Sequence, residues 1–389
     1  MKKVFLIGGG AANLVVADLW SKSAEVHIFE KGKMLGRKFL VAGKGGFNLT
    51  NAAIGKDLLQ HYAPTVFFEP ILKNFDSEDT RKWLETLGIP TYTGSSGRVF
   101  PQQGIKPYQV LNALKNRLIR QGVQFHFHHE FIGFTTDCQP IVRFDDKELV
   151  LHADHYVFAL GGASWPGTGS DGQWVAAFQK IGVKTLPFQA SNCGVNIAWM
   201  PDFQSKQQGK PLKNIAVSIG NFHKKGEALV TEYGLEGNVI YPAVPIVRAL
   251  LNEGKKPVLS LDLKPNNTPV SLLQKLQKSK VLPKNYGYIF NLNPTELALA
   301  RQFCDKPTYL NPALFAPFLK EIPIPVQSLR PIKEAISTVG GIDLSEVAPN
   351  LTLKKYPHIS VIGEMLDWDA PTGGFLLQAS YSMANHCIF

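Results

Sequence analysis

A glycine cluster near the start of the chain has the spacing of a phosphate-binding turn. Residues 8–13 (GGGAAN) follow the apolar run 4–7 and precede a stretch with helical spacing. Such glycines permit a tight bend and let a pyrophosphate approach the helix N–H groups. Glu30 closes the next apolar run, where a carboxylate can bind both ribose hydroxyls and repel a 2′-phosphate. The pattern predicts a nucleotide site at Gly8, Gly10, Ala11, Ala12 and Glu30 that excludes NADP; a turn without ligand is the alternative.

Two further glycine clusters predict contacts to the rest of a long ligand. Residues 36–51 combine glycines with cations, so this loop can lie against a diphosphate; a mobile surface loop is the alternative. Residues 363–364 (GE) close an apolar run and residues 372–374 (TGG) open a helical pattern, which suits a ribityl chain and a flavin. Ligand-binding segments near both ends of the chain favour FAD over NAD, because the second segment suits a ribityl chain and a flavin. The cofactor residues predicted in or next to these two clusters are Lys31, Arg37, Lys38, Gly43, Gly45, Gly363, Glu364, Gly373 and Gly374. Gly161, at the end of another apolar run, is predicted as a further cofactor residue.

Three residues are candidates for contacting a substrate: Asn48, Arg98 and Tyr241. Arg98 lies in a compact Gly-Arg-Val-Phe-Pro turn and could bind a carboxylate, with a structural salt bridge as the equal alternative. Tyr241 lies where a substrate cap is expected, and a core tyrosine is the alternative there. The sequence assigns no catalytic acid or base.

Other reactive groups are not arranged for nucleophilic catalysis or metal binding. The chain has no G-x-S-x-G motif, its four cysteines form no Cys-x-x-Cys pair, and no metal-ligand spacing is evident. His126 and His128 share a face if their segment is a strand. We expect both to face solvent at a sheet edge, with a flavin or metal role as the alternative. No metal site is therefore predicted.

These residues are positioned by a predicted βαβ unit at the start of the chain. Strand, glycine turn, helix and strand follow one another within the first 30 residues. Short β-prone runs begin near residue 186, residues 266–323 are rich in helix formers and proline, and glycine-rich sequence returns near 330. The predicted fold class is α/β. It comprises a discontinuous Rossmann-like FAD-binding domain (1–185 and 330–389), an inserted small β-barrel domain (186–265) and a small helical domain (266–329).

The composition is that of a basic globular protein. The chain has 389 residues and a net charge of +10, with its lysines and arginines dispersed. We interpret that charge as a solvated surface and keep nucleic-acid binding as the alternative. No apolar run is long enough for a membrane helix, and glycine cuts short the apolar start, unlike in a signal peptide. We therefore expect a cytoplasmic protein without a membrane partner.

These motifs together resemble those of the YhiN-like bacterial NAD(P)/FAD-dependent oxidoreductases, also described as aminoacetone oxidase or bile-acid reductase-like flavoproteins. The matching stretches run in order across nearly the whole chain: residues 7–13, 36–51, 97–101, 159–169, 337–342 and 363–379. Two departures lie near the expected flavin. The family pattern has Arg-Cys where this chain has Gly46-Phe47, and Asn where it has Leu376.

The resemblance implies how FAD is held. Adenine would lie beside a strand containing Phe131, Glu30 would bind the ribose, and Arg37 and Lys38 would face the pyrophosphate. The residues implied on the flavin side are Glu364, Phe375, Leu376 and Leu377. An inserted β-barrel domain and a small helical domain are implied as well.

Three functions remain open from the sequence. The leading one is an FAD-dependent oxidoreductase, either an oxidase or a reductase, that acts on a small organic substrate. NAD(P)H is an optional reductant, although a second G-x-G-x-x-G is absent. The second is a flavin-dependent RNA-modifying enzyme, and the third is a non-catalytic flavin-binding sensor. The sequence determines neither the substrate nor the oligomeric state.

Overall fold

A computed structural model describes residues 1–41, 47–278 and 281–387. The chain divides into two compact units, the first made of Met1–Ala190 and Ile332–Phe389 and the second of Ser191–Pro331. The domain boundaries expected at residues 185, 265 and 330 stay predictions. None of the described helices combines the length and the hydropathy that a membrane span requires.

The strands of the described residues are, in chain order, β1 (Lys2–Ile7), β2 (Ala24–Glu30), β3 (Thr50–Asn51), β4 (Thr91–Thr93), β5 (Arg98–Pro101), β6 (Gln124–Phe127), β7 (Glu130–Phe134), β8 (Pro140–Phe144), β9 (Lys147–Val150), β10 (His155–Phe158), β11 (Thr185–Ser191), β12 (Val195–Asn196), β13 (Pro211–Ile219), β14 (Phe222–Val230), β15 (Gly234–Glu236), β16 (Val258–Asp262), β17 (Ile322–Pro325), β18 (Ser328–Leu329), β19 (Ser337–Ile342), β20 (Thr352–Leu353) and β21 (Tyr356–Val361).

The α-helices are α1 (Ala11–Trp20), α2 (Arg37–Val41), α3 (Gly55–Leu59), α4 (Thr65–Asn74), α5 (Ser77–Thr86), α6 (Pro107–Arg120), α7 (Val175–Lys180), α8 (Pro201–Gln207), α9 (Val244–Asn252), α10 (Pro269–Gln274), α11 (Tyr286–Ile289), α12 (Pro294–Phe303), α13 (Lys306–Leu310), α14 (Pro312–Phe318) and α15 (Phe375–His386).

A six-stranded sheet forms the centre of the first unit, in the order β20-β21-β10-β1-β2-β6. The five strands from β21 to β6 pair in parallel, and β20 joins the edge in the antiparallel sense. All four residues of β10 and the last four of β1 are buried, because helices α1 and α15 and the small β7-β8-β9 sheet cover the two faces. The α/β fold with a Rossmann-like parallel sheet is thus confirmed.

Asn13 stands where phosphate-binding turns usually carry a third small residue. Its side chain is fully buried, and its amide nitrogen donates to the carbonyl oxygens of Ile7 at 3.1 Å and Gly8 at 2.9 Å. These two carbonyls end β1, and the Ile7 carbonyl also accepts the Ala159 N–H at 3.0 Å after the neighbouring strand β10. The larger residue therefore ties the end of the strand to the first turn of α1.

The second unit is built on a seven-stranded antiparallel sheet in the order β17-β16-β13-β14-β15-β12-β18. Helices α10 to α14 fall in sequence between the paired strands β16 and β17. Its own core includes Leu259 and Ile324 from these strands and Phe315 from α14. Curvature of this sheet into a barrel stays a prediction.

Candidate functional site

A cleft of about 510 Å³ opens in the first unit at the carboxyl ends of its parallel strands. Its lining includes Ile7 at the end of β1, Glu30 at the end of β2 and residues 159–161 after β10. Open α/β sheets bind ligands at this edge, where the strand order changes direction. The volume lies within the range of roughly 300–1,000 Å³ that small-molecule sites occupy.

Most of the predicted cofactor residues line this cleft: Gly8, Gly10, Ala11, Ala12, Glu30, Lys31, Arg37, Lys38, Phe131, Gly161, Gly363, Glu364, Leu376 and Leu377. Gly43 and Gly45 lie outside the described residues. The two distant glycine clusters meet directly, because a Cβ on Gly363 would lie 3.8 Å from the Ala12 methyl group. The fold therefore brings the two predicted ligand-binding segments, near residues 8–12 and 363–364, into one site.

The remaining predicted residues, which lie outside the cleft lining, are Asn48, Arg98, Tyr241, Gly373, Gly374 and Phe375. A Cβ on Gly374 would collide with the backbone of Thr50, and its φ is +103°. Glycine is therefore required there by packing within the protein. The Phe375 ring packs on His61, with ring centroids 4.2 Å apart. Contact of these residues with a flavin stays a prediction.

The Glu30 carboxylate joins two backbone turns. One oxygen accepts the Gly9 N–H at 2.8 Å and the other accepts the Gly32 N–H at 2.7 Å. A Cβ on Gly9 would lie 2.9 Å from the first oxygen, so only glycine allows this approach. Each carboxylate oxygen keeps a second acceptor position, which a ligand hydroxyl could use.

The N-terminus of α1 presents backbone donors to the cleft. Gly10 is its N-cap residue and supplies no side-chain cap, so the first-turn N–H groups have no intrahelical acceptor. No acidic side chain lies in that turn. The helix dipole adds partial positive charge at this end, and anions bind well to such a terminus.

Three predicted cations hold protein groups around the cleft. The Lys31 ammonium pairs with Asp171 at 2.7 Å, and the Arg37 guanidinium donates to the Gly167 carbonyl at 2.5 Å. Both partners belong to the loop that follows β10, where Gly161 was the one predicted cofactor residue. The glycine-rich sequence of residues 159–169 was the signal from which this loop could have been recognised as part of the site. The sequence could not show that the loop folds back onto these cations.

The third cation joins the two halves of the first unit. The Lys38 ammonium lies 2.6 Å from the Glu364 carboxylate and 2.8 Å from the Ser164 hydroxyl. Glu364 follows β21, 326 residues further along the chain. Lys38 and Glu364 were assigned to different parts of a ligand on sequence grounds, whereas the structure pairs them.

Aromatic residues, including Phe29 and Phe131, line another part of the cleft. The Phe131 ring on β7 lies 5.0 Å from the Phe158 ring on β10, centroid to centroid. His126 stacks on Phe29 at 4.5 Å, and burial, with a smaller effect from neighbouring histidines, lowers its pKa. The expected shared face of His126 and His128 is wrong, because β6 ends at Phe127 and His128 is exposed with φ +62°.

Tyr241 begins a short 3₁₀ helix in the second unit. Burial, with a smaller contribution from the Glu236 carboxylate, raises its pKa to about 12. The phenol is therefore protonated at neutral pH. Tyr233 of the same unit donates a hydrogen bond to Glu236. Contact between Tyr241 and a substrate stays a prediction.

No group of three or more His, Cys, Asp or Glu side chains in the described part of the chain could hold a metal ion. The four cysteines are free thiols, and Cys138, Cys193 and Cys387 are buried.

Comparison with known proteins places this architecture among Rossmann folds. The family model described as HI0933-like protein Rossmann domain matches residues 2–387. A 3-dehydro-bile acid delta(4,6)-reductase of Clostridium scindens is 25% identical over 417 residues, covering 98% of this chain and 97% of the relative. A ribosomal RNA dihydrouridine synthase of Haemophilus influenzae is 22% identical, covering 98% of this chain and 96% of the relative.

Two solved structures share the fold over their whole length. The 3-ketosteroid-delta4-(5alpha)-dehydrogenase of Rhodococcus jostii RHA1 gives a TM-score of 0.52 at 13% identity and covers 99% of this chain and 96% of that one. The 3-ketosteroid delta1-dehydrogenase of Sterolibacterium denitrificans gives 0.51 at 12% identity and covers 100% and 99%. At these identities the likeness establishes the fold alone.

Proposed function

Because the chain belongs to the HI0933-like Rossmann family, we propose that it is a flavoprotein oxidoreductase that holds FAD in the cleft of its first unit. The observation that carries the proposal is the convergence of the α1 N-terminus, the Glu30 carboxylate and the segment around Glu364 on one cleft. FAD is long enough to require contacts both at the α1 N-terminus with Glu30 and at the segment around Glu364. Bound there, FAD would supply a reversible hydride acceptor.

Glu30 would hold the adenosine ribose. Its two oxygens already accept the N–H groups of Gly9 and Gly32, which fixes the carboxylate at the end of β2. The remaining acceptor positions suit the two ribose hydroxyls. A 2′-phosphate would place further negative charge beside this carboxylate, so the site favours FAD over an NADP-type nucleotide.

The first turn of α1 would hold the diphosphate. Its free N–H groups and dipole suit an anion, and the turn before it needs glycine, because a Cβ on Gly8 would lie 2.6 Å from the Ala159 carbonyl. Arg37 uses one of its five donors on Gly167, so its guanidinium can also serve the diphosphate. The aromatic end around Phe131 would take adenine, and Leu376 and Leu377 would face the flavin.

The purified protein tests the cofactor assignment directly. We expect a yellow protein with one non-covalent FAD per chain, released to the supernatant by acid precipitation and identified by chromatography. Recovery of FMN, or of no flavin after incubation with FAD, would contradict the assignment.

The reaction we propose is reduction of a carbon–carbon double bond conjugated to a carbonyl group in a small organic molecule. The support is chemical: the names of both curated relatives describe saturation of such a bond, in a bile acid and in uridine. The substrate would gain two electrons and two protons across its double bond, and NAD(P)H would lose the electron pair. Conjugation makes the far carbon electrophilic, so a bound flavin suits this chemistry.

A stopped-flow experiment separates the options for electron flow. NADH or NADPH should bleach the flavin absorbance anaerobically, and a conjugated ketone should restore it. Bleaching by the organic compound alone, followed by rapid reoxidation in oxygen, would instead identify an oxidase. A flavin that responds to none of these compounds would favour a sensor.

An RNA substrate is the second candidate, and the distribution of charge favours it. Residues 191–331 carry seventeen Lys and Arg against nine Asp and Glu, so the second unit holds +8 of the net +10. Lys213, Lys224 and Lys225 are exposed there on the β13–β14 hairpin. Concentrated positive charge is the electrostatic signature of nucleic-acid binding. Gel shifts with ribosomal RNA and total tRNA at 50 and 200 mM salt would test this; no shift at low salt would exclude it.

A further inference from the structure

Trp165 differs from the other tryptophans of the chain. Four of them donate their indole N–H to a protein oxygen: Trp83, Trp174, Trp199 and Trp368. Trp20 is buried and packs on His155. Trp165 is 39% exposed, and its indole makes neither a hydrogen bond nor a ring contact with the residues that the structure describes. A large aromatic surface is thus left open to a ligand.

The backbone of Trp165 is strained. Its φ and ψ are +59° and 59°, in the left-handed region that a bulky side chain rarely adopts. The same loop contains glycines at positions 161, 162, 167, 169 and 172, and glycine would adopt this conformation without strain. Strained residues of this kind cluster at functional sites. The indole is therefore placed here at a cost to folding.

The loop is fixed on both sides of Trp165. Ser164 is fully buried and accepts a hydrogen bond from Lys38, and the Gly167 carbonyl accepts one from Arg37. The Trp165 carbonyl itself accepts the Thr168 N–H at 2.8 Å. An aromatic ring on so rigid a loop loses little conformational freedom when it binds a ligand.

The loop also ties Ser164, the residue before Trp165, to the end of the cleft that contains Glu364, while Trp165 itself lies just outside the cleft lining. Lys38 bridges Ser164 and Glu364, and a Cβ on Gly162 would lie 3.5 Å from the Glu364 carbonyl. Thr168 and Asp171, a few residues later, line the cleft. Under the proposed function this is the flavin end, where a substrate must be presented.

We propose that Trp165 binds the substrate by stacking its indole on a planar conjugated ring. The inference rests on the proposed function and names the shape of the ligand: a flat ring that contains a carbon–carbon double bond conjugated to a carbonyl. A steroid enone and a uracil base share this feature. Stacking holds either one flat and tolerates differences at the ring edge.

Steady-state kinetics of the FAD-loaded full chain test the proposal. The probes are 4-androstene-3,17-dione and a uridine hexanucleotide, each with NADH or NADPH. Trp165→Gly should raise KM by about 5- to 100-fold, the loss typical of one stacked ring, with kcat within about threefold. Trp165→Phe should keep KM within about threefold. The probe that responds identifies the source of the ring.

Two controls separate stacking from a structural role. Tyr108→Ala removes another exposed aromatic ring, on α6 and away from the loop that Lys38 ties to Glu364, and should leave KM unchanged. Trp165→Gly should melt close to the wild-type temperature, because relief of the left-handed strain offsets the loss of the covered part of the indole. Loss of FAD from this variant would show that the indole supports the cofactor loop and would overturn the proposal.

The remaining outcomes are distinguishable as well. If wild type and Trp165→Gly turn over a probe with the same KM, the stacking role is wrong. The proposed function is unaffected by that result. A changed oligomeric state in that variant, with KM unchanged, assigns the indole to a protein interface instead. If the wild type binds FAD but reduces neither probe, the proposed substrate class is wrong. The inference about Trp165 is then wrong as well.

Discussion

Single residues in the cleft carry more than one contact each. Glu30 holds two backbone N–H groups from turns on either side of it, and Lys38 holds both Glu364 and Ser164. Asn13 likewise ties the end of β1 to α1 through two carbonyls. Substituting such a residue changes both the local backbone and the ligand site, so each test needs a matched control.

Glu30→Ala should weaken FAD binding by about 1–3 kcal/mol, because ligand hydroxyls would lose their charged acceptor. Titration of apoprotein with FAD, followed by the quenching of flavin fluorescence, measures the change. Glu25→Ala is the control, since Glu25 lies on the same strand outside the cleft lining and should leave the affinity unaltered. Equal affinity in wild type and Glu30→Ala would remove Glu30 from the ribose.

Gly374→Ala should destabilise the fold itself, since its Cβ would collide with the Thr50 backbone at a φ of +103°. Gly88→Ala is the matched control. It has a φ of +75° with open space around the added methyl, and should cost only about 1–2 kcal/mol of left-handed strain. Urea unfolding of both variants measures the difference. If they are equally stable, the collision is relieved by backbone movement and the tight packing at Gly374 is unimportant.

The carboxyl ends of β1, β2, β10 and β21 determine where the cleft lies. The loop after β10 then closes one side, because Lys31 and Arg37 hold Asp171 and Gly167. Both faces of the central strands are buried. A polar side chain is therefore tolerated within the sheet only where another group forms a hydrogen bond with it. His155, on β10, is such a group, with its ring 2.8 Å from the Ser360 hydroxyl.

His155 should make the first unit less stable in acid. Burial, with smaller effects from His358 and Lys2, lowers its pKa to about 4. Between pH 6.5 and 4 the unfolded chain binds a proton that the folded chain does not, so the stability falls as the pH falls. The stability lost over this whole pH range amounts to about 3 kcal/mol. His155→Gln, which can still bond Ser360, should lose this part of the pH dependence.

Urea unfolding at pH 7 and pH 4.5 measures the effect. His152→Gln serves as the control, because His152 is exposed three residues earlier. If His155→Gln and wild type lose the same free energy between the two pH values, the acid sensitivity arises elsewhere.

The cofactor would connect segments from both ends of the chain. Residues 8–12 and 362–364 line the same cleft, while the charge is concentrated between them in the second unit. Ligand that binds only the folded state stabilises every segment that the site requires.

Free FAD at 100 times its dissociation constant should stabilise the apoprotein by about 2.7 kcal/mol. Thermal unfolding followed by circular dichroism would show this as a higher midpoint with FAD. FMN lacks the adenosine that Glu30 and the Phe131 region would bind, so at equal concentration it should have a smaller effect. A midpoint that FAD leaves unchanged would show that the cleft does not hold this cofactor.

The α/β class, the glycine turn after β1 and the family could all be predicted from the sequence alone. These follow from local patterns: an apolar run, glycines at a strand end and a carboxylate one strand later. Such signals need only a few neighbouring residues, since backbone geometry fixes what the turn can do. The family resemblance rested on short motifs of the same kind and is confirmed by the match over residues 2–387.

Which side chains meet across the first unit could not be read from the sequence. The pairing of Lys38 with Glu364 and of Lys31 with Asp171 depends on strand order and loop path, which no local spacing encodes. The same holds for Gly374, whose glycine is required by Thr50, and for Trp165, whose exposure follows from how its loop folds back. Contacts between residues far apart in sequence arise from packing of the whole unit, and short motifs carry no information about that packing.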